Sequence, residues 1–324
     1  MDGLRMGLAA IGVACSAAAH AAQPEAPYPT RPVRIVVPQT PGASTDLTAR
    51  LIAQKLSPIF GQPVIVENRP GAGSIVGTEL VAKATPDGHT LLVVASSIVL
   101  NPILQKNLPF NPQRDLAPIA QLSTFPNMLV VHPAVPAKNV QELVALAKAK
   151  PGALNYGSAG TATGTHLSAE LFKYMTGTDM VHVPYKGGGA AIPALLGGQV
   201  QLMFSTTVAA LPQVRAGKLR ALAVTSAKRS VSAPDVPTIA ESGVPGYDHS
   251  AWNGLFAPAK TPRAIILRLN GEVAQILHSP DIKAIFIKEG AEPVGNKPEE
   301  FAAILKSESA KWTKLVQASG MKAD

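Results

Sequence analysis

The chain has 324 residues, 46% of them hydrophobic and 15% charged, and carries a formal net charge of +8. Its only cysteine, Cys15, leaves no internal disulfide and no cysteine metal site, so the fold must rest on a large apolar core. The basic residues are scattered singly and aromatics make up 5%, which excludes a nucleic-acid groove and leaves a basic field suited to anionic ligands.

Arg5 precedes an apolar stretch, Met6 to Ala19, that ends in the small-residue triplet Ala19-His20-Ala21. This layout predicts a signal peptide over residues 1–21, a mature start near Ala22 and a periplasmic location. The stretch is short and alanine-rich for a membrane span, which needs about 20 strongly apolar residues. An uncleaved anchor is the alternative. Lipidation at Cys15 is another, although Gly12-Val13-Ala14 lacks the leucine that opens such a box. Removing the leader leaves roughly 300 residues, near the upper limit of one core, so two lobes are expected.

Val33 to Val37 reads as a buried strand, followed by the turn Pro38 to Ala43 and a helix from Ser44-Thr45-Asp46. Pro63 to Glu67 is a second strand. The glycine-rich Pro70-Gly71-Ala72-Gly73 leads to a helix over Ser74 to Ala84, and Thr90 to Ala95 is a third strand. Phe125 to Val131 is an extended segment and Val140 to Ala149 a helix. A second βαβαβ run starts at Leu154-Asn155-Tyr156, with helices at Thr165 to Met175, Ala190 to Leu196 and Val208 to Ala216. Its other strands are Met180 to Val183, Val200 to Phe204 and Leu219 to Thr225. Trp252 to Ala257 returns as a strand, and the remainder is largely helical.

Alternating strands and helices predict mostly parallel sheets covered by helices. The expected architecture is α/β, with residues 22–127 and 250–324 forming lobe one and residues 128–249 lobe two. A double crossing places a hinge and a cleft between the lobes.

Two strand-to-helix turns carry the candidate site: Pro38 to Asp46, and Tyr156 to Thr165. Both are small and rich in hydroxyls. A helix amino end offers N–H groups without internal partners and the positive end of the dipole. Each dipole is worth about 0.3–1 kcal/mol, whereas micromolar binding requires about 8. Hydrogen bonds to a charged group add about 1.5–3 kcal/mol each, so three or four aimed donors bridge the gap. The plainer reading is that these residues only cap their helices. Asp46 would repel an anion and is expected to cap its own loop.

Enzymatic motifs are weak. Tyr156 stands where a nucleophile elbow needs glycine before Ser158, and no P-loop follows either glycine-rich turn. Gly71-Ala72-Gly73 with Gly77 misses the dinucleotide spacing. His89, His132, His166, His182, His249 and His278 show no metal-ligand spacing, and no cofactor is expected. Lys186 beside three glycines is weak support for a phosphate. A secreted hydrolase using Ser158 or His166 remains the alternative function.

The ordered segments resemble one family, the Bug extracytoplasmic solute receptors of tripartite tricarboxylate transporters. They include Tyr28-Pro29 through Val37-Pro38, Gly42 with Thr45-Asp46, and Glu67-Asn68-Arg69-Pro70-Gly71-Ala72-Gly73. Pro86 to Thr90, Asn155 to Ser158 through His166-Leu167, Val183 to Gly188, Leu219 to Thr225 and Gly254 to Pro258 complete the set. The resemblance implies a type II periplasmic-binding fold that closes on a small carboxylate. Carried over by position, the ligand contacts are Pro41, Gly42, Thr45, Asp46 and Ala72, with Ser158, Gly160, Thr161, Thr163, Gly164 and Ser205 opposite. It implies a monomeric receptor serving membrane permease subunits or a sensor kinase. Gln39 and Gly42-Ala43 depart from the family's phenylalanine and glycine pair. Phe204-Ser205 departs from its Phe-Asp, which points to a carboxylate without an ammonium group.

Overall fold

The computed structural model describes residues 28–105, 107–161, 163–185 and 187–319. The expected leader with Cys15, and Lys186, lie outside the described residues. Along the chain, β1 (Val33–Val37) leads into α1 (Ser44–Phe60), β2 (Val64–Asn68), α2 (Ile75–Ala82) and β3 (Thr90–Ala95). Then come α3 (Ser97–Leu104), α4 (Pro112–Asp115) and the long β4 (Leu116–Val131). After α5 (Val140–Ala149) the order is β5 (Asn155–Ser158), α6 (Gly164–Thr176), β6 (Val181–Pro184), α7 (Gly188–Leu196), β7 (Leu202–Thr206), α8 (Thr207–Arg215) and β8 (Arg220–Val224). The last elements are β9 (Ser250–Pro258), α9 (Arg263–His278), α10 (Pro280–Lys288), β10 (Glu292–Pro293) and α11 (Pro298–Ser319).

The strands run in the order β2-β1-β3-β9-β4-β7-β5-β6, with β10 and β8 pairing β4 off this path. The β1–β2 and β1–β3 pairs are parallel, as are β5–β6 and β5–β7. β1 reads as an almost unbroken apolar run because helices cover both of its faces: Ile35, Val36 and Val37 are fully buried. On one side α1 contributes Ala49, Ile52, Ala53 and Leu56, which pack with Leu269, Val273 and Leu277 of α9. The second parallel sheet has its own apolar faces, with Met128, Val130, Val200 and Met203 packed beneath Ala191, Ile192 and Leu195 of α7.

β4 belongs to both sheets. Its residues from Leu116 to Pro126 pair antiparallel with β9, and its residues from Asn127 to Val131 pair with β7. The sequence suggested extended chain only from Phe125. Pro118, Gln121, Ser123 and Pro126 interrupt the apolar run, and register shifts fall between Pro118 and Ala120 and between Gln121 and Ser123. Proline supplies no ladder donor, so such positions are read as strand breakers until the partner strand is seen. The helices α3 and α4 were likewise not anticipated.

The carboxyl-terminal helix α11 clamps this crossing. Trp252 Nε1 donates to Glu308 Oε2 at 2.8 Å, and Lys311 Nζ donates to the Asp248 carbonyl at 2.8 Å. His249, one residue ahead of β9, is 3% exposed and lies edge-on to Trp312, with ring centroids 4.8 Å apart. Burial, with Lys311 close by, drives its pKa down to about 3 against a smaller opposing effect of the Gly164 backbone.

His249 therefore stays neutral in the fold and regains its ordinary pKa, about 6.5, on unfolding. Between those two values the unfolded chain binds more protons, so stability falls as pH drops below about 6.5. The expected loss is about 1.4 kcal/mol per pH unit in that window. Urea melts of the wild type and of His249→Gln between about pH 7 and about pH 5 test this. The variant should lose the larger part of the acid sensitivity; equal slopes would show that His249 does not set it.

Candidate functional site

The first tip is built around Asp46. Ala43 caps α1 and has no side-chain acceptor to offer, so no side chain caps the opening N–H groups of the helix. Asp46, the acidic residue of the first turn, is 1% exposed and turned back on its own loop. Its Oδ2 accepts the Gly42 N–H at 2.9 Å and Arg50 Nε at 3.0 Å, and its Oδ1 accepts Asn68 Nδ2 at 2.9 Å. Burial raises the pKa of this carboxyl, but the hydrogen bonds from Arg50, Gly42 and Asn68 together hold it below the usual range. Gly42 turns the chain with φ at 84°, a conformation that favours glycine. Pro41 and Gly42 are exposed, while Thr45 is buried and donates from Oγ1 to Asn253 Oδ1 at 3.0 Å.

The loop that carries Ala72 runs beside this tip. Asn68 Nδ2 also donates to the Gln39 carbonyl at 3.0 Å. A Cβ on Gly77 would stand 2.8 Å from both Pro38 Cβ and the Arg69 carbonyl, so only glycine lets α2 lie this close to the first turn. Ala72 and Ser74 hold φ at 45° and 81°, left-handed values that cost of order 1–3 kcal/mol each in a residue with a side chain. Ala72 is exposed at the crown of this loop.

The second tip is self-bonded. Thr163 caps α6, accepting the His166 N–H at 3.5 Å and donating to the Gly160 carbonyl at 2.7 Å. Thr165 Oγ1 accepts the Ala159 N–H at 2.9 Å. Ser158 is fully buried: its Oγ accepts the Gly160 N–H at 3.1 Å, donates toward the Gly160 carbonyl at 3.2 Å and meets His182 Nε2 at 2.6 Å. A nucleophile must reach its substrate, and this sealed hydroxyl does not. Gly160, Thr161, Thr163 and Gly164 are half-buried. Ser205, in β7, is 1% exposed, and its hydroxyl donates weakly to the Thr206 carbonyl at 3.4 Å.

β9 brings the tips together. Thr45 of α1 bonds Asn253, and Asn253 Nδ2 also donates to Thr48 Oγ1 at 3.2 Å. A Cβ on Gly164 of α6 would rest 3.4 Å from Ala251 Cβ. Ala251 and Asn253 are alternate residues of one strand, so they share a face and lie about 7 Å apart. Asn127 of β4 holds the second tip from below, with its Nδ2 donating to the Gly164 carbonyl at 3.2 Å and to Ser168 Oγ at 3.0 Å. Thr207, beyond Ser205, donates to the Pro126 carbonyl at 2.9 Å, which brings the β7–α8 turn to the same crossing.

Sequence reasoning singled out none of Asn127, Asn253 and His182 for a role of its own. The first two carry a readable signal, since each is an amide within a mostly apolar run, Phe125 to Val131 and Trp252 to Ala257, and the structure buries both almost completely. His182 carries none, because its role depends on the register that sets it opposite Tyr156.

The Asp46 network predicts that Asp46→Ala removes about 2–3 kcal/mol of stability, the worth of one or two charge-assisted bonds in a buried setting. Chemical denaturation with an unchanged denaturant slope should show it. A loss under about 0.5 kcal/mol would mean that the loop holds without the carboxylate.

Residues 48–321 match the model of the tripartite tricarboxylate transporter family receptor. The chain is 37% identical over 318 residues to Protein BugT of Bordetella pertussis, covering 97% of this chain and 98% of BugT. Among solved structures, Rpa4515 of R. palustris with adipate superposes with a TM-score of 0.73 at 37% identity, over 91% of this chain and 99% of that one. MatC of Rhodopseudomonas palustris with bound malate gives 0.69 at 34% identity, over 89% and 100%. These neighbours are ligand-binding receptors rather than enzymes and share the fold of two α/β lobes. The chain belongs to the family of tripartite tricarboxylate transporter receptors.

Proposed function

We propose that this receptor works in the periplasm, capturing a small carboxylate between the amino ends of α1 and α6 and delivering it to membrane permease subunits. Residues 128–249 form the lobe that closes on residues 22–127 and 250–324. Among the described residues no helix is long and apolar enough to cross a membrane. The observation that carries the reading is the placement of both helix ends on one face of β9, at Ala251 and Asn253.

The two tips hold the anion differently. At α1 the uncapped N–H groups near Thr45 are the donors, with Pro41 and Gly42 small enough to admit a carboxylate and Ala72 flanking them. Asp46 acts by shaping the loop, because both of its oxygens are already hydrogen-bonded. At α6 the backbone of Gly160, Thr161, Thr163 and Gly164 faces the ligand, while Ser158 braces the loop from within. Three or four such bonds, at about 1.5–3 kcal/mol each, supply micromolar affinity once closure excludes water.

A carboxylate without an ammonium group fits best. Ser205 supplies no negative charge at the position where an acid would pair an ammonium. The adipate and malate bound by the two neighbours carry none either.

Ser44, exposed at the first position of α1, offers a clean test. Ser44→Asp puts a negative charge at the dipole's positive end, which suits the helix but repels a bound anion. Calorimetric titration with a panel of dicarboxylates and amino acids should show wild-type binding of a non-amino acid, weakened about tenfold or more in the variant, with no drop in melting temperature. Preferential binding of aspartate or glutamate, or unaltered affinity in the variant, would sink the assignment.

A further inference from the structure

One side of α1, beginning at its open amino end, borders a cavity. Ser44, Leu47 and Leu51 stand three and seven residues apart along the helix and so share that side. Together with Phe125 of β4 and Ile285 and Phe286 of α10 they line a space of about 300 Å³. At the far end from Ser44 the two helices are tied, with Lys55 Nζ donating to Asp281 Oδ2 at 2.6 Å. Leu47 is 50% exposed and Ile285 44%. Large apolar side chains left in water around one concave space mark a binding surface.

The cavity adjoins the proposed carboxylate site at two points. Ser44 belongs to both, as the first residue of α1. Phe125 is paired directly opposite Ala251 in the β4–β9 ladder, and both are half-buried. Side chains opposite each other in an antiparallel pair share a face, with Cβ atoms about 4.5–5.5 Å apart. Ala251 is the residue on which Gly164 of the second tip rests. A ligand whose carboxylate sits between the tips therefore has a continuous path for its remaining atoms, over Ala251 to Phe125 and into the cavity.

The lining selects the chemistry of those atoms. Two charged side chains stand at the rim, Arg50 and Glu289. Arg50 is engaged already, donating to Asp46 Oδ2 at 3.0 Å and to Asn68 Oδ1 at 2.9 Å, and Glu289 repels an anion. A second carboxylate placed here would lose its water without gaining a cation. An uncharged ring gains instead, by burial against leucine and isoleucine and by ring contact with Phe125 and Phe286. The volume is at the lower end of small-molecule pockets, which start near about 300 Å³, and suits one ring rather than several.

We propose that this cavity is the side pocket of the ligand site, and that the receptor takes a monocarboxylate bearing an uncharged apolar ring, with its carboxylate at the helix ends and its ring between α1 and α10. The inference rests on the proposed receptor function and narrows its ligand class.

The test is calorimetric titration of the purified protein, freed of bound ligand by dialysis, with phenylacetate and cyclohexanecarboxylate against adipate and malate. The ring probes should bind about tenfold more tightly than adipate and show the more negative heat-capacity change that apolar burial produces. Leu47→Gln and Ile285→Gln change exposed helix positions where glutamine is well tolerated, so the fold should hold. Each should cost the ring probes about three- to tenfold in affinity, at least threefold more than it costs adipate. Ser44→Asp acts on the charged end and should weaken ring and chain probes alike. Adipate or malate binding more tightly than both ring probes, or losses in Leu47→Gln that are equal for all probes, would overturn this inference alone. So would a dimer of the chain, seen by light scattering, that Leu47→Gln dissolves without changing ring affinity. If no carboxylate bound at all, the receptor function itself would fall.

Discussion

An antiparallel pair of strands, β4 and β9, is hydrogen-bonded from Leu116–Pro258 to Pro126–Ser250, and both sheets are built outward from it. A hinge of two short loops would leave the lobes free to rotate about many axes. Two paired strands restrict bending to directions that keep the ladder intact, which favours the opening and closing proposed for the lobes. α11 reinforces the restraint through Trp252–Glu308 and Lys311–Asp248. The same strand carries Ala251 and Asn253, so it also sets the spacing of the two helix ends.

The tips differ in how they satisfy their own polar groups. In the first, Asp46 takes the Gly42 N–H, Arg50 and Asn68, which shields its charge and leaves the helix end open. In the second, hydroxyls of Ser158, Thr163 and Thr165 bond to the backbone of their own loop. A negative charge near the proposed anion site is tolerable when its oxygens are engaged, and both oxygens of Asp46 accept hydrogen bonds. Rigid, internally bonded loops also lower the ordering cost of binding, because little freedom remains to be lost when the ligand arrives. The left-handed residues Ala72 and Ser74 belong to the same economy: local strain is held in place by surrounding packing next to the open helix end.

Much of the α/β frame was legible along the chain. The β-branched run Val33–Val37, the helix from Ser44 and the repeated strand–helix alternation follow from local pattern, because buried parallel strands and amphipathic helices leave distinct periodicities. The self-capping of Asp46 was also readable, since an acid in the first turn beside a glycine loop has nearby N–H groups to accept. β4 was only half legible: its prolines and amides look like breaks until β9 supplies the partner that absorbs them. Asn127 and Asn253 were visible as buried-strand amides, but not as the supports of the two tips.

From its residues alone the chain determined its class, the position of two small hydroxyl-rich turns at helix starts and the absence of an acid at Ser205. Those are local properties, set by side-chain size, capping chemistry and hydrophobic spacing. Only the tertiary structure decided that Thr45 and Gly164 meet the same face of β9, that Ser158 is sealed against His182, and that His166, His182 and Tyr156 form one stack. These contacts join residues far apart along the chain, and they depend on strand register, where a slip of one residue would turn every side chain to the opposite face.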